Sequence, residues 1–163
     1  MSDPRERTVR WEDPALALES ARGRSGLEVL RAIVAGELPP PPMARLLGFD
    51  IVEAKEGRVV FAATPGEHVY NPLGLVHGGF ACTLLDSAMG CSIHSMLPAG
   101  VGYSTTDLQI RFIRGMSLAT GEVRAEGRAV HVGRSTAVAE GRLTDGKGTL
   151  FAVATTGCAI FRP

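Results

Sequence analysis

Residues 71–97 read NPLGLVHGGFACTLLDSAMGCSIHSML, and the arrangement of the whole chain turns on this stretch. Asn71-Pro72-Leu73-Gly74 is a turn, and the residues that follow are apolar or small at nearly every position, with one acid, Asp86. The run predicts a helix that starts near His77 and ends before Pro98. A helix apolar on every side is buried rather than laid on a surface. A carboxylate on it must be paired, hydrogen-bonded or protonated, because an isolated buried charge is very costly. Asp86 is therefore the first candidate for chemistry.

On either side of this helix the periodicity changes to two. Upstream, Phe49–Ala54 and Arg58–Thr64 read as strands joined over Lys55-Glu56-Gly57, a hairpin-length loop. Downstream, four more strands are expected, over Ser104–Ile113, Glu122–His131, Arg134–Asp145 and Thr149–Phe161. In the first, Leu108, Ile110 and Phe112 alternate with Asp107, Gln109 and Arg111. Asp145-Gly146 is a hairpin signal before the last strand. Two strands, one buried helix and four strands imply an antiparallel sheet of about six strands curled around one long helix, an α+β domain. Its unpaired edges and outer face invite a homo-oligomer.

The residues before Phe49 are organised differently. Residues 1–24 interleave Arg, Asp and Glu around a single Trp11 and read as a charged arm, with a short helix over Pro14–Ala21. Residues 25–42 form a second unit. Ser25-Gly26-Leu27-Glu28 is a capping-box pattern opening a helix with Leu27, Leu30, Ile33 and Val34 on one face. Gly36 ends it, and Pro39–Pro42 forms an extended spacer. Residues 43–163 are expected to make the main domain.

Composition narrows the function classes. Lys+Arg and Asp+Glu balance at 17 each, so no global field recruits nucleic acid or an anionic membrane. Three scattered cysteines (82, 91, 158) form no disulfide framework and fit a reducing cytoplasm. The first residues, MSDPRERTVRWEDP, lack the apolar core of a secretory signal. The four histidines (68, 77, 94, 131) show no zinc spacing, and no metal is expected. Cys82 and Cys91 read as small apolar packing groups.

The motif N-P-x-G-x-V-H-G-G-x5-L-D-x-A-x-G, carried by Asn71, Pro72, Gly74, Val76, His77, Gly78, Gly79, Leu85, Asp86, Ala88 and Gly90, resembles the hot-dog fold acyl-CoA thioesterases. It is most similar to the PaaI-like branch of the phenylacetate pathway, which is related to 4-hydroxybenzoyl-CoA thioesterases. The resemblance extends over about residues 26–161. It implies hydrolysis of an aryl- or short-to-medium acyl-CoA, with no cofactor beyond the CoA carried by the substrate.

Gly78 and Gly79 open the helix, where amides lack intrahelical acceptors and the dipole is positive, so they are candidate oxyanion donors. Asp86 lies eight residues beyond Gly78, about 12 Å along the axis, too far for one helix to bring both to one carbonyl. The resemblance implies a dimer in which Gly78 of one subunit meets Asp86 of the other, and further a dimer of dimers. Asp86 would act as base toward water or as nucleophile. By the same resemblance Asn71 positions the nucleophile or water, and His77 orients the loop or contacts the thioester. Ser87 stands where Thr is common and can hydrogen-bond water or the leaving group.

For the CoA phosphates, Arg134, Ser135 and Thr136 are the first candidates, ahead of Arg111, Arg114, Arg128 and Arg162. The acyl pocket is expected from residues 43–64, the helix and the partner chain. Two rivals remain: a hot-dog hydratase or dehydratase on acyl thioesters, and an acyl-CoA binding module without catalysis.

Overall fold

A computed structural model describes residues 3–162; Met1 and Ser2 of the arm and Pro163 of the main domain lie outside the described residues. Its centre is helix α4 (Gly78–His94), which follows the short helices α1 (Pro14–Ser20), α2 (Gly26–Val34) and α3 (Pro42–Leu47) in the chain. Six strands surround it: β1 (Phe49–Lys55), β2 (Arg58–Ala63), β3 (Gly102–Phe112), β4 (Val123–Val132), β5 (Thr136–Asp145) and β6 (Leu150–Phe161). They form one sheet in the order β1-β2-β4-β5-β6-β3, antiparallel at every junction. The expected hot-dog arrangement is what the chain adopts.

The inner face of the sheet is built from small residues because the helix lies directly on it. Ala125, Ala137, Ala139, Ala152 and Ala154 are buried there against Leu84, Leu85, Ala88, Met89 and Ile93 of α4. At the closest point Gly127 of β4 pairs with Gly141 of β5 beneath the middle of the helix. A Cβ on Gly127 would stand 2.2 Å from the Ala88 carbonyl oxygen, and only glycine fits. The sheet does not enclose the helix completely. Cys82, Thr83, Asp86 and Ser87 stay half-buried and Gly79 exposed, along the side that the chain's own strands leave open.

The capping box of α2 forms as expected, with Ser25 and Glu28 satisfying each other's backbone amides. Gly36, at φ +74°, ends the helix. Its buried face uses Leu30 and Ala32, however, and Val34 points to solvent. The proline spacer is shorter than expected. Pro42 is the first residue of α3, where its missing N–H costs nothing, and the αL residue Gly48 closes that helix. Among the described residues no helix is long and apolar enough to cross a membrane.

The expected alternation in β3 also needs a correction. A bulge between Thr105 and Asp107 shifts the register against β6 by one residue. Without it, Thr105 would face away from the side occupied by Leu108, Ile110 and Phe112. With it, Thr105 pairs with the buried Cys158 and turns toward α4.

Candidate active site

Asp86 sits midway along α4, half-buried, with Thr105 Oγ1 of β3 donating a 2.8 Å hydrogen bond to its Oδ1. Oδ2 accepts no hydrogen bond among the described residues and is free to act. Sequence reading missed Thr105, because only the bulge brings it inward. We expect Thr105→Val to lower turnover by about tenfold or more, the scale of a hydrogen bond to a charged group, and Thr105→Ser to restore most of it. Steady-state rates of the two variants check this.

Asp86 and Ser87 border a cavity of about 390 Å³ walled by Leu30 and Ile33 of α2, by Pro39–Pro42, and by Phe49 and Phe61. The pocket thus draws on residues before 43 as well as on the expected 43–64 and the helix. Farther along, Cys91, His94 and Tyr103 close it. Burial holds the His94 imidazole below its ordinary pKa and so in the neutral form. Burial also pushes the Cys91 thiol up to about 12 and raises Cys82 and Cys158, so none of the three is a thiolate near neutrality. The native protein should therefore react with iodoacetamide at pH 7.5 far more slowly than the denatured chain. It should also keep its activity during that exposure, as a thiol assay with parallel rate measurements will show.

The other half of the motif lies elsewhere. Asn71 and Gly78 border a separate cavity of about 360 Å³, together with Phe112, Arg114 and Met116. Asn71 Oδ1 accepts from the amides of Leu73 (2.9 Å) and Leu75 (3.2 Å), so the side chain builds the turn and leaves only its NH₂ for a ligand. His77 is the N-cap of α4; its Nδ1 accepts from the Gly79 amide at 2.8 Å. That removes Gly79 from the oxyanion donors expected at this step. The Gly78 amide has no acceptor among the described residues and remains open. The ring of Phe112 lies over Gly78, 3.0 Å from where a Cβ would be.

Arg134, Ser135 and Thr136 are exposed at the β4–β5 turn. Through the pairs Thr136–Ala159 and Ser104–Ala159, this turn lies two strands from the start of β3, about 10 Å across the sheet, at the Thr105 end. Arg111 and Arg128 instead line a groove on the outer face of the sheet. In one chain Asp86 and Ser87 thus border one cavity and Asn71 and Gly78 another, with His77 beside the second.

A sequence model of the Thioesterase superfamily matches residues 73–152, from the turn through α4 and into β6. The chain is 31% identical over 114 residues to a protein of Halobacterium salinarum named as an esterase, covering 67% of this chain and 74% of that one. It is 31% identical over 100 residues to the 1,4-dihydroxy-2-naphthoyl-CoA hydrolase of Listeria monocytogenes, covering 61% of this chain and 79% of that one. Among solved structures, a phenylacetic acid degradation-related protein of Ralstonia eutropha superposes with a TM-score of 0.72 at 28% identity, over 80% of this chain and 98% of that one. With a six-stranded sheet wrapped around a helix that carries HGG and the acid seven residues beyond it, this chain belongs to the thioesterase superfamily and is a hot-dog enzyme of thioester hydrolysis.

Proposed function

We propose that the substrate is an acyl-CoA with an aryl or short-to-medium acyl group, and that Asp86 is the base. The observation that carries this reading is the Asp86 carboxylate, fixed through one oxygen by Thr105 at the edge of an apolar cavity. Asp86 takes a proton from water as the water oxygen bonds to the thioester carbon. The carbonyl oxygen becomes an oxyanion held by the Gly78 amide at the positive end of α4. Collapse breaks the C–S bond, and the CoA thiolate receives the proton from Asp86. Ser87 and the Asn71 NH₂ orient the water or leaving group, His77 holds the loop through Gly79, and Arg134, Ser135 and Thr136 meet the CoA phosphates. No cofactor beyond CoA is needed.

The complete site requires two chains. β3 is an edge strand, and Phe112 near its end is 52% exposed. Thr105 and Phe112 are seven residues apart, about 23 Å along the strand, so one chain cannot bring both ends to one carbonyl. Antiparallel pairing of two β3 strands about Leu108 sets the Asp86 end of each chain beside the Gly78 end of the other. A dimer with two shared sites follows, and a cytoplasmic dimer of dimers is the assembly we favour.

The test is thiol release from phenylacetyl-, benzoyl-, hexanoyl- and palmitoyl-CoA by the pure protein, with product analysis to score hydration. Free thiol from at least one of the first three supports the reading. Hydrated thioester without thiol, or binding without turnover, overturns it. Label in the Asp86 carboxylate after single-turnover hydrolysis in H₂¹⁸O would come from a mixed anhydride that water opens at the aspartyl carbon, and would replace the base role with a nucleophilic one.

A further inference from the structure

The cavity beside Asp86 has an outer wall that the family model does not reach. Glu12, Pro14 and Ala17 line it, opposite α4 and across from Phe49 and Phe61. These residues belong to the arm and to α1, which is attached lightly. The helix has no buried residue, and its Leu16 and Leu18 are 61% and 72% exposed. Arg7 donates to the Leu46 carbonyl at 2.7 Å, and Arg5 pairs with Glu67 at the surface. The next helix, by contrast, is seated firmly: the Gly26 amide donates to the Leu97 carbonyl at 3.0 Å, and a Cβ at Gly26 would collide with the His94 carbonyl. Between the loose helix and the seated one lies Gly23 at φ +76°, a conformation that glycine adopts without strain.

We propose that this arm is the movable outer wall of the acyl pocket and determines which acyl groups enter it, admitting uncharged, apolar chains of limited length and excluding carboxylated ones. The proposal rests on the acyl-CoA reading above for the identity of the ligand. Two features of the cavity support it. Its axis runs along α4 from Asp86 to His94, eight residues or about 12 Å, the reach of a medium-length acyl chain. Its acidic side chains are Glu12 and Asp86, and the described residues that line it include no Lys or Arg to receive a carboxylate. A succinyl or glutaryl group would bring a third negative charge into that space, where like charges repel strongly. Opening about Gly23 would separate from the cavity a helix that has no fully buried residue.

Trp11, the only tryptophan in the chain, stands beside Glu12 and is 57% exposed, which makes the arm observable without turnover. The experiment titrates the full-length protein with S-octyl-CoA, a thioether that cannot be hydrolysed, and with CoA alone, while following Trp11 emission. Alongside, kcat/KM is measured for butyryl-, octanoyl- and glutaryl-CoA with wild type, Ala17→Phe, Glu12→Lys and Leu18→Ala. The expected result is an emission change with S-octyl-CoA and none with CoA. Ala17→Phe, which projects into the cavity from a helix that buries nothing, should lower the octanoyl-to-butyryl ratio about tenfold. Glu12→Lys should raise the glutaryl-to-butyryl ratio by about tenfold, and Leu18→Ala, at a residue that is 72% exposed and does not line the cavity, should leave both ratios as in wild type. Silent Trp11 emission, with both ratios within about twofold of wild type in Ala17→Phe and Glu12→Lys, overturns the proposal. If no thioester is hydrolysed at all, the enzymatic reading falls, and the Trp11 response to S-octyl-CoA still decides whether the arm walls the pocket.

Discussion

Asp86→Asn is expected to lower thioester turnover by about a thousandfold, within the range that a positioned general base contributes. The amide has the shape of the carboxylate and can still accept the Thr105 hydrogen bond that now reaches Oδ1, so folding and oligomer size should be preserved. What it loses is the ability to take a proton from water. The loss should therefore fall on kcat, with KM little changed, because an interaction made only in the transition state is removed. Circular dichroism and size exclusion beside the kinetics separate this outcome from misfolding. Turnover that survives would move the chemistry away from Asp86 and leave the half-buried acid as a structural group paired with Thr105.

A large effect on stability is expected at a residue with no side chain, beneath the middle of α4. Gly127→Ala would place a methyl 2.2 Å from the Ala88 carbonyl oxygen and 2.5 Å from the Met89 amide nitrogen. Both are helix backbone, held by the α4 ladder, and cannot rotate out of the way. The helix must lift from the sheet, at a cost of about 3 kcal/mol or more, the upper part of the overpacking range. For a chain of this size that lowers the melting temperature by roughly 6–12 °C. On an ordinary strand, Gly→Ala would be mildly stabilising, so the sign itself is diagnostic. Gly141→Ala is the control. Its methyl would meet side-chain atoms, the Met89 Cγ at 2.9 Å and the Leu85 Cδ2 at 3.1 Å, which can rotate aside where helix backbone cannot. Thermal melts of the two variants should show Gly141→Ala clearly the milder.

Much of this was legible in the residues. The run after the NPLG turn marked the buried helix to within a residue of its N-cap, His77. Alternation, apolar runs and turn signals placed all six strands; β3, β4 and β5 alternate, whereas β2 is buried on both faces. Asp86 stood out as the one acid on that helix. The helix over residues 14–21 and the capping box at Ser25 were readable because caps and turns are local chemistry.

What escaped the reading has a common cause. α3 was overlooked because Pro42 in a proline run signals extension, whereas packing of Ala44 beneath the fold favours a helix with Pro at its first position. The Gly79 amide looked available because nothing in HGG says that the imidazole folds back onto it. Thr105 looked like an outward residue because a bulge is one uncounted residue in an alternating strand. The arm read only as a charged segment with a short helix, because its contacts, Arg7 with Leu46 and Glu12 with the cavity, span tens of residues.

By itself, then, the order of residues determined the element types, the curled antiparallel sheet and the place of the one acid on the buried helix, since periodicity, capping and burial of apolar faces are short-range consequences of composition. Tertiary structure alone decided which amide stays free at the start of α4, which hydroxyl holds Asp86, and what walls the cavity beside it. Those depend on single-residue register and on close approach between distant segments. A hydrogen bond formed or lost over an ångström leaves no trace in a pattern that repeats every two or four residues.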